Sequence, residues 1–248
     1  MTSDSRLQGK LALVTGVTSG IGAETVRALL AQGMKVWGLA RDAARLDACA
    51  SQLGPQFRPI LLDLADANAR TSVCAELSRE SRETPVQLLI NNAAECVYDS
   101  PLTLPAARLS RLFEINVTAG IELCQALAAS MPVGAQIINI SSVVARHLPS
   151  AKFAPYAASK AALDCLSEAL RLELHPRGIH VSTIAPGLVD TPIYDKVDGF
   201  ARARQKIIEQ VPTWLSARDV AETIVWMATR PPHLVVSELS LLPAAQTR

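Results

Sequence analysis

The sequence has no C-x-x-C pair and no Cys/His cluster with zinc-like spacing, so no metal site is expected. Its five cysteines, Cys49, Cys74, Cys96, Cys124 and Cys165, are odd in number and scattered. That argues against a disulfide framework and predicts reduced, mostly buried thiols in a cytosolic protein. A basic excess is also missing, since 24 Lys and Arg stand against 23 Asp and Glu, which disfavours a nucleic-acid binder. The first ten residues lack the apolar core of a signal peptide. Residues 123–145 carry no charge over a length that could span a membrane. Pro132 and Gly134 break that run, however, and Gln136, Asn139, Ser141 and Ser142 follow; a helix, a turn and a buried strand explain it better. Internal repeats, low-complexity tracts and interdomain linkers are absent, so residues 1–248 are expected to form one soluble domain.

What is present is ample material for a core, with 49% of residues hydrophobic. Short apolar runs at residues 10–15, 34–40, 57–63, 86–92, 136–142 and 179–185 read as strands. Helical patterns separate them at 20–32, after Asp42, and at 66–82, 104–130 and 155–175. Runs without alternation, linked by helices, predict strands buried on both faces of a parallel sheet. Right-handed crossovers then give an α/β doubly wound Rossmann fold of about seven strands. Residues 187–216 are too irregular and too long for a simple connection and are expected to form a substrate flap.

The first strand runs directly into T-G-V-T-S-G-I-G at residues 15–22. Glycines 16, 20 and 22 allow a sharp turn and close approach to a pyrophosphate, and the following helix offers free N–H groups. At the end of the second strand, where NAD sites place an acid, this chain has Ala40 followed by Arg41. A guanidinium there can fork onto the 2′-phosphate of NADP, with Thr18 adding a hydroxyl; the alternative is a solvated surface charge. Asp42 reads as a helix cap rather than a ribose ligand.

P-Y-A-A-S-K-A at residues 155–161 sets Tyr156 and Lys160 four apart on one helical face. An ammonium near a phenol lowers its pKa from about 10, so that Tyr156 can serve as general acid or base. Alone, the pair also fits an ordinary helix surface. N-I-S-S at 139–142 ends the fifth strand, where α/β folds place ligands and a hydroxyl can hold a reacting carbonyl oxygen.

Taken in order, T-G-x-x-x-G-I-G, N-N-A-A (91–94), N-I-S-S and Y-x-A-S-K resemble the short-chain dehydrogenase/reductase family over essentially the whole chain. The resemblance implies an NADP(H)-dependent oxidoreductase with Asn116, Ser142, Tyr156 and Lys160 as catalytic residues, Ser141 being the reserve for Ser142. Asn116 would hold a water that links Lys160 to solvent. Cofactor contacts are implied for Gly16, Thr18, Ser19, Gly20, Ile21, Gly22, Arg41, Asp63, Leu64, Asn92, Ala93, Ala94, Tyr156, Lys160, Pro186, Gly187, Val189 and Thr191. Ala94 and Ala145 stand where the family commonly has glycine.

Residues 230–246 are similar to a subgroup acting on 3-hydroxy acids, including serine-like ones, or on small ketones and aldehydes. Glu95, Val97, Tyr98, Val144, His147, Leu148, Phe153 and Tyr194 are expected near the substrate, with His147 and Tyr194 as binding candidates beside Ser142 and Tyr156. The resemblance also implies a cytoplasmic homotetramer or homodimer; the apolar pattern at 123–131 suits such an interface and suits core packing equally. A reductase of bulky ketones such as steroids, and a non-catalytic NADP sensor, are the competing functions.

Overall fold

A computed structural model describes residues 6–195, 197 and 199–247. Its first half alternates strands and helices: β1 (Leu11–Thr15), α1 (Gly20–Ala31), β2 (Lys35–Ala40), α2 (Ala43–Leu53), β3 (Phe57–Leu61), α3 (Ala67–Glu80) and β4 (Val86–Asn91). There follow α4 (Ala106–Phe113), a π-helical turn (Glu114–Thr118) and α5 (Ala119–Ala128), then β5 (Gln136–Ile140), α6 (Ala154–Leu174) and β6 (His180–Pro186). The chain ends with β7 (Val189–Asp190), α7 (Ala201–Gln210), β8 (Leu215–Ser216), α8 (Ala217–Ala228) and β9 (Glu238–Leu241).

The apolar runs become strands because both their faces are covered. In β1, Leu11 and Leu13 join the cluster that α3, α5 and α6 cover through Leu77, Leu123, Leu127 and Leu174. Ala12 and Val14, pointing the other way, meet Val26 and Leu29 of α1, Leu46 of α2 and Ile224 of α8. Each fully buried leucine contributes roughly 1.5–3 kcal/mol. The order β3-β2-β1-β4-β5-β6-β9, with every pairing parallel, is the doubly wound Rossmann arrangement. The order reverses beside β1, so the ends of β1 and β4 open a crevice there.

Caps match the sequence where a side chain marks them: the Asp42 carboxylate accepts from Arg45 N at 3.0 Å, and Asp66 caps α3. The helix expected at 104–130 is interrupted by the π turn, which carries Asn116 at its centre. Only Cys96 and Cys124 are buried; Cys49 and Cys74 are half-buried and Cys165 is exposed, which corrects the expectation of mostly buried thiols. Cys165 lies on the outer face of α6, where no sheet covers it. Leu123, Cys124, Leu127 and Met131 are all buried in the core, so that pattern is core packing and not an interface. Among the described residues no helix is long and apolar enough to cross a membrane.

The described residues of 187–216 comprise β7, α7 and β8 joined by turns. Val189 pairs with Leu215 and Asp190 with Ser216, so a short parallel ladder ties the two ends of the segment together. Phe200 anchors its middle, with ring contacts to Tyr98, Phe153 and Tyr194 at 5.1–5.6 Å.

Candidate active site

The turn after β1 is shaped by backbone needs that only glycine meets. Gly16 has φ of 74° and its amide donates to Leu39 O at 2.8 Å. At Gly22 the constraint is space, because a Cβ there would overlap the Gly16 carbonyl and stand 2.6 Å from Asn92 Nδ2. Ser19 precedes α1 without capping it through its side chain, leaving the first-turn amides facing the crevice. The turn is fastened to β4: Thr15 Oγ1 accepts from the amides of Asn92 and Ala93 at 2.9 Å, and Asn92 Nδ2 donates to Thr15 O at 2.8 Å.

A cleft of about 480 Å³ runs from this turn across the ends of the strands. Thr18, Ser19, Gly20, Ile21, Arg41, Asp63 and Leu64 line one half. Asn92, Ala93, Ala94, Ser142, Tyr156, Lys160, Pro186, Gly187, Val189, Thr191 and Tyr194 line the rest. Gly16 lines it too, while Gly22 is buried beneath the turn. Asp63 is held by accepting from Ala65 N at 3.0 Å. Among the described residues no group of three or more His, Cys, Asp or Glu is placed to hold a metal.

Several pocket expectations are corrected. His147 and Leu148 are exposed on the turn after the short helix Val143–Ala145 and do not line the cleft. Val97, Tyr98, Val144 and Phe153 belong to the apolar cluster around Phe200, one layer behind the cleft wall. Of the eight residues expected near the substrate, Glu95 and Tyr194 line it.

At the closed end, α6 carries Tyr156 and Lys160, both buried. A chain of buried polar side chains sets α6 against the sheet. Asn91 Nδ2 donates to Asn139 Oδ1 at 2.8 Å, Asn139 Nδ2 to Ser167 Oγ at 2.7 Å, and Ser167 Oγ to Leu163 O at 2.6 Å. Asn116 adds a second tie. Its Nδ2 donates to Glu95 O and to Ser159 Oγ, and its Oδ1 accepts from Glu95 N at 2.8 Å. The π turn thus points Asn116 inward to join the N-N-A-A loop to α6, with Lys160 as a neighbour in a small cavity.

Electrostatically, the site departs from the expectation of a lowered tyrosine pKa. Burial pushes the Tyr156 phenol well above its usual value, and Cys96 and Tyr194 push in the same direction. Ser142, which stands beside the phenol, acts the other way; the structure therefore brings Ser142 rather than Ser141 to Tyr156. Ser141 instead faces Asp164, whose carboxyl burial pushes up and Ser141 draws down. Lys160 Nζ lies 5.8 Å from the Tyr156 ring centre and donates to Ile140 O at 2.7 Å. Burial lowers Lys160 from 10.5 to about 8, opposed chiefly by Asp164 one turn along α6. Asp164 in turn lies 3.8 Å from Arg146, which bonds Glu238 at 2.6 Å. Burial thus dominates both groups, because both are removed from water.

Glycine turn, crevice, buried Tyr156 and Lys160 and adjacent Ser142 occur in one cleft, and the family model for short chain dehydrogenase matches residues 10–200. The chain belongs to the short-chain dehydrogenase family. Among its curated relatives, serine 3-dehydrogenase of Agrobacterium fabrum is 32% identical over 238 residues, covering 95% of this chain and 94% of the relative. Dehydrogenase/reductase SDR family member 11 of Bos taurus is 30% identical over 253 residues, covering 97% and 98%. Among solved structures, the closed form of serine dehydrogenase complexed with NADP+ superposes with a TM-score of 0.86 at 27% identity, covering 96% of each chain. A blue fluorescent protein from a metagenomic library, in complex with NADPH, also reaches 0.86 at 29% identity, covering 98% of this chain and 100% of that one.

Within this short-chain dehydrogenase, sequence reasoning passed over Arg45, Cys96, Arg108 and Arg111, which line the cleft, and over Thr15, Asn139, Ser159 and Ser167, which brace it. Arg45 sits one turn after Asp42, a spacing that marked it as a neighbour of Arg41. Ser167 left only the faint signal of a serine inside a long helix.

The buried lysine carries a measurable cost. Lys160 holds its proton more weakly folded than unfolded, so its burial destabilises the protein below about pH 8 and the cost fades as pH rises toward 10.5. A depression of this size corresponds to about 3 kcal/mol, offset by about 1–2 kcal/mol for the bond to Ile140 O. Lys160→Met is expected to raise stability at pH 7 by about 1–2 kcal/mol, an advantage that shrinks in alkaline buffer. Urea unfolding of both proteins at the two pH values checks this; a destabilised variant at pH 7 contradicts it.

Proposed function

We propose that this short-chain dehydrogenase is an NADP(H)-dependent oxidoreductase that interconverts a small carbonyl compound and its alcohol. The observation carrying the reading is that Ser142, Tyr156 and Lys160 line the same cleft as the glycine turn. The crevice suits a dinucleotide: Gly22 leaves room for the tight turn, uncapped α1 amides face an anion, and Arg41 stands exposed at the end of β2. Arg41 and Thr18 would hold the 2′-phosphate, with Arg45 adding positive charge nearby. When bound, the nicotinamide supplies or accepts the hydride.

Tyr156 is protonated at neutral pH and is placed to give its proton to the substrate oxygen in the reductive direction; burial makes it a weaker acid than a free phenol, which the charges of a bound cofactor would have to offset. Ser142 holds the same oxygen as negative charge develops. Lys160 supports Tyr156 electrostatically and binds the strand end through Ile140 O. Asn116 keeps the Glu95 loop and α6 in register. Residues 187–216 would cover the substrate. Self-association belongs to the same proposal, carried by Leu166 and Leu172, which are exposed on α6.

The test is optical measurement of NADPH consumption with β-keto esters, diketones, aldehydes and bulky ketones. Turnover with small substrates is expected; tight NADPH binding with none turned over would favour the sensor reading. Arg41→Ala is expected to weaken NADPH binding about 10- to 100-fold and leave NADH binding unchanged. Unaltered NADPH affinity in fluorescence titration would return Arg41 to the role of a solvated surface charge.

A further inference from the structure

The substrate end of the cleft contains a second phenol besides Tyr156. Tyr194 lines the wall with Cys96, Pro192 and Ile193. Its ring is clamped by stacking on Phe200 at 5.1 Å and by an edge contact with Trp214 at 5.8 Å. Burial holds it protonated, and it lies close enough to Tyr156 and Cys96 for each to oppose ionisation of its neighbours. Among the described residues the Tyr194 hydroxyl makes no side-chain hydrogen bond, so its donor is free for a ligand.

Among the described residues, the cations nearest this end are paired or lie outside the cleft lining. Lys160 binds Ile140 O beneath Tyr156. Arg204 lies outside the cleft lining, 5.6 Å from the Trp214 ring and 3.7 Å from Asp190; it is near enough to favour ionisation of Tyr194, and its Nε is buried without a hydrogen-bond partner among the described residues. Arg111 pairs with Glu95 at 3.1 Å and faces Asp63 at 4.0 Å. Burial also keeps the Cys96 thiol neutral, pushed up to about 12. A carboxylate here would lose its water among neutral phenol, thiol and hydroxyl groups, whereas a neutral oxygen needs only one donor.

We propose that the substrate is a small neutral carbonyl compound, or the matching alcohol, with a second oxygen acceptor that Tyr194 holds while Tyr156 and Ser142 hold the reacting oxygen. Keto esters and diketones are of this class, and free hydroxy acids are not. The inference rests on the oxidoreductase reading above.

The experiment compares kcat/KM, with saturating NADPH, for a β-keto ester, its free acid and a simple ketone of equal length. The ester is expected to exceed both by about 10-fold or more, the increment of a buried hydrogen bond and of an uncompensated charge. In Tyr194→Phe the ester's KM rises and its advantage over the ketone shrinks toward parity, with thermal melting confirming the fold. A free acid used as well as the ester overturns the proposal. An unchanged ester-to-ketone ratio in a folded Tyr194→Phe also overturns it. Absence of turnover with every compound, despite NADPH binding, overturns the oxidoreductase reading itself.

Discussion

Tyr156→Phe is expected to lower kcat/KM for carbonyl reduction by about 10³-fold, within the range for loss of a positioned general acid. The substitution removes one oxygen from a ring that is otherwise buried and well packed, so folding should survive it. NADPH binding should change only a few-fold, because the glycine turn and Arg41 keep their own contacts in the cleft. The loss should appear in kcat, since the proton is needed during reaction rather than at binding. Steady-state kinetics paired with fluorescence titration of NADPH separates the two. Retained turnover in a protein that still binds NADPH would remove Tyr156 from the acid's role and force a search for another donor.

Gly22→Ala is expected to cost about 2–4 kcal/mol of stability and about 100-fold in NADPH affinity. The new methyl would overlap the Gly16 carbonyl and press on Asn92 Nδ2, the donor that ties the end of β4 to Thr15. Neither is the end of a flexible chain, so relief requires moving the turn or α1. Overpacking of this kind typically costs about 1–3 kcal/mol, and losing the Asn92 bond adds about 1 kcal/mol. Displaced α1 amides no longer converge on an anion, which links the stability loss to the binding loss. Urea unfolding and NADPH titration of the same sample measure both. Wild-type stability would show that α1 can slide away from the turn at little cost.

Much of this architecture was legible in the chain because its local signals agreed with one another. Apolar runs without alternation at 86–92 and 136–142 became central strands, and Asp42 became the cap its position announced. The helix Ala217–Ala228 was passed over, although Ser216 and Asp219 form a capping box at its start. Gly16, Gly22 and the Tyr156–Lys160 spacing could be read because each is a local geometric demand. His147 and Leu148 were misplaced for the opposite reason: proximity along the chain to Ser142 did not determine which way the turn after Val143–Ala145 would face.

The cleft's electrostatics were beyond local reading. Four-residue spacing implied that Lys160 would acidify Tyr156, but the depth at which α6 docks reverses the sign. Depth follows from long-range contacts such as Asn139 to Ser167 and Asn116 to Ser159, between residues 28 and 43 positions apart. The clamping of Tyr194 by Phe200 and Trp214 and the burial of Cys96 beside Tyr156 are likewise products of packing. The alternation of strands and helices, turn chemistry and the identity of the reactive groups were written along the chain because backbone sterics and hydrophobic periodicity act over a few residues. Burial, the protonation of Tyr156 and the neutral character of the substrate wall were decided only in the folded molecule, because desolvation depends on everything that packs around a group.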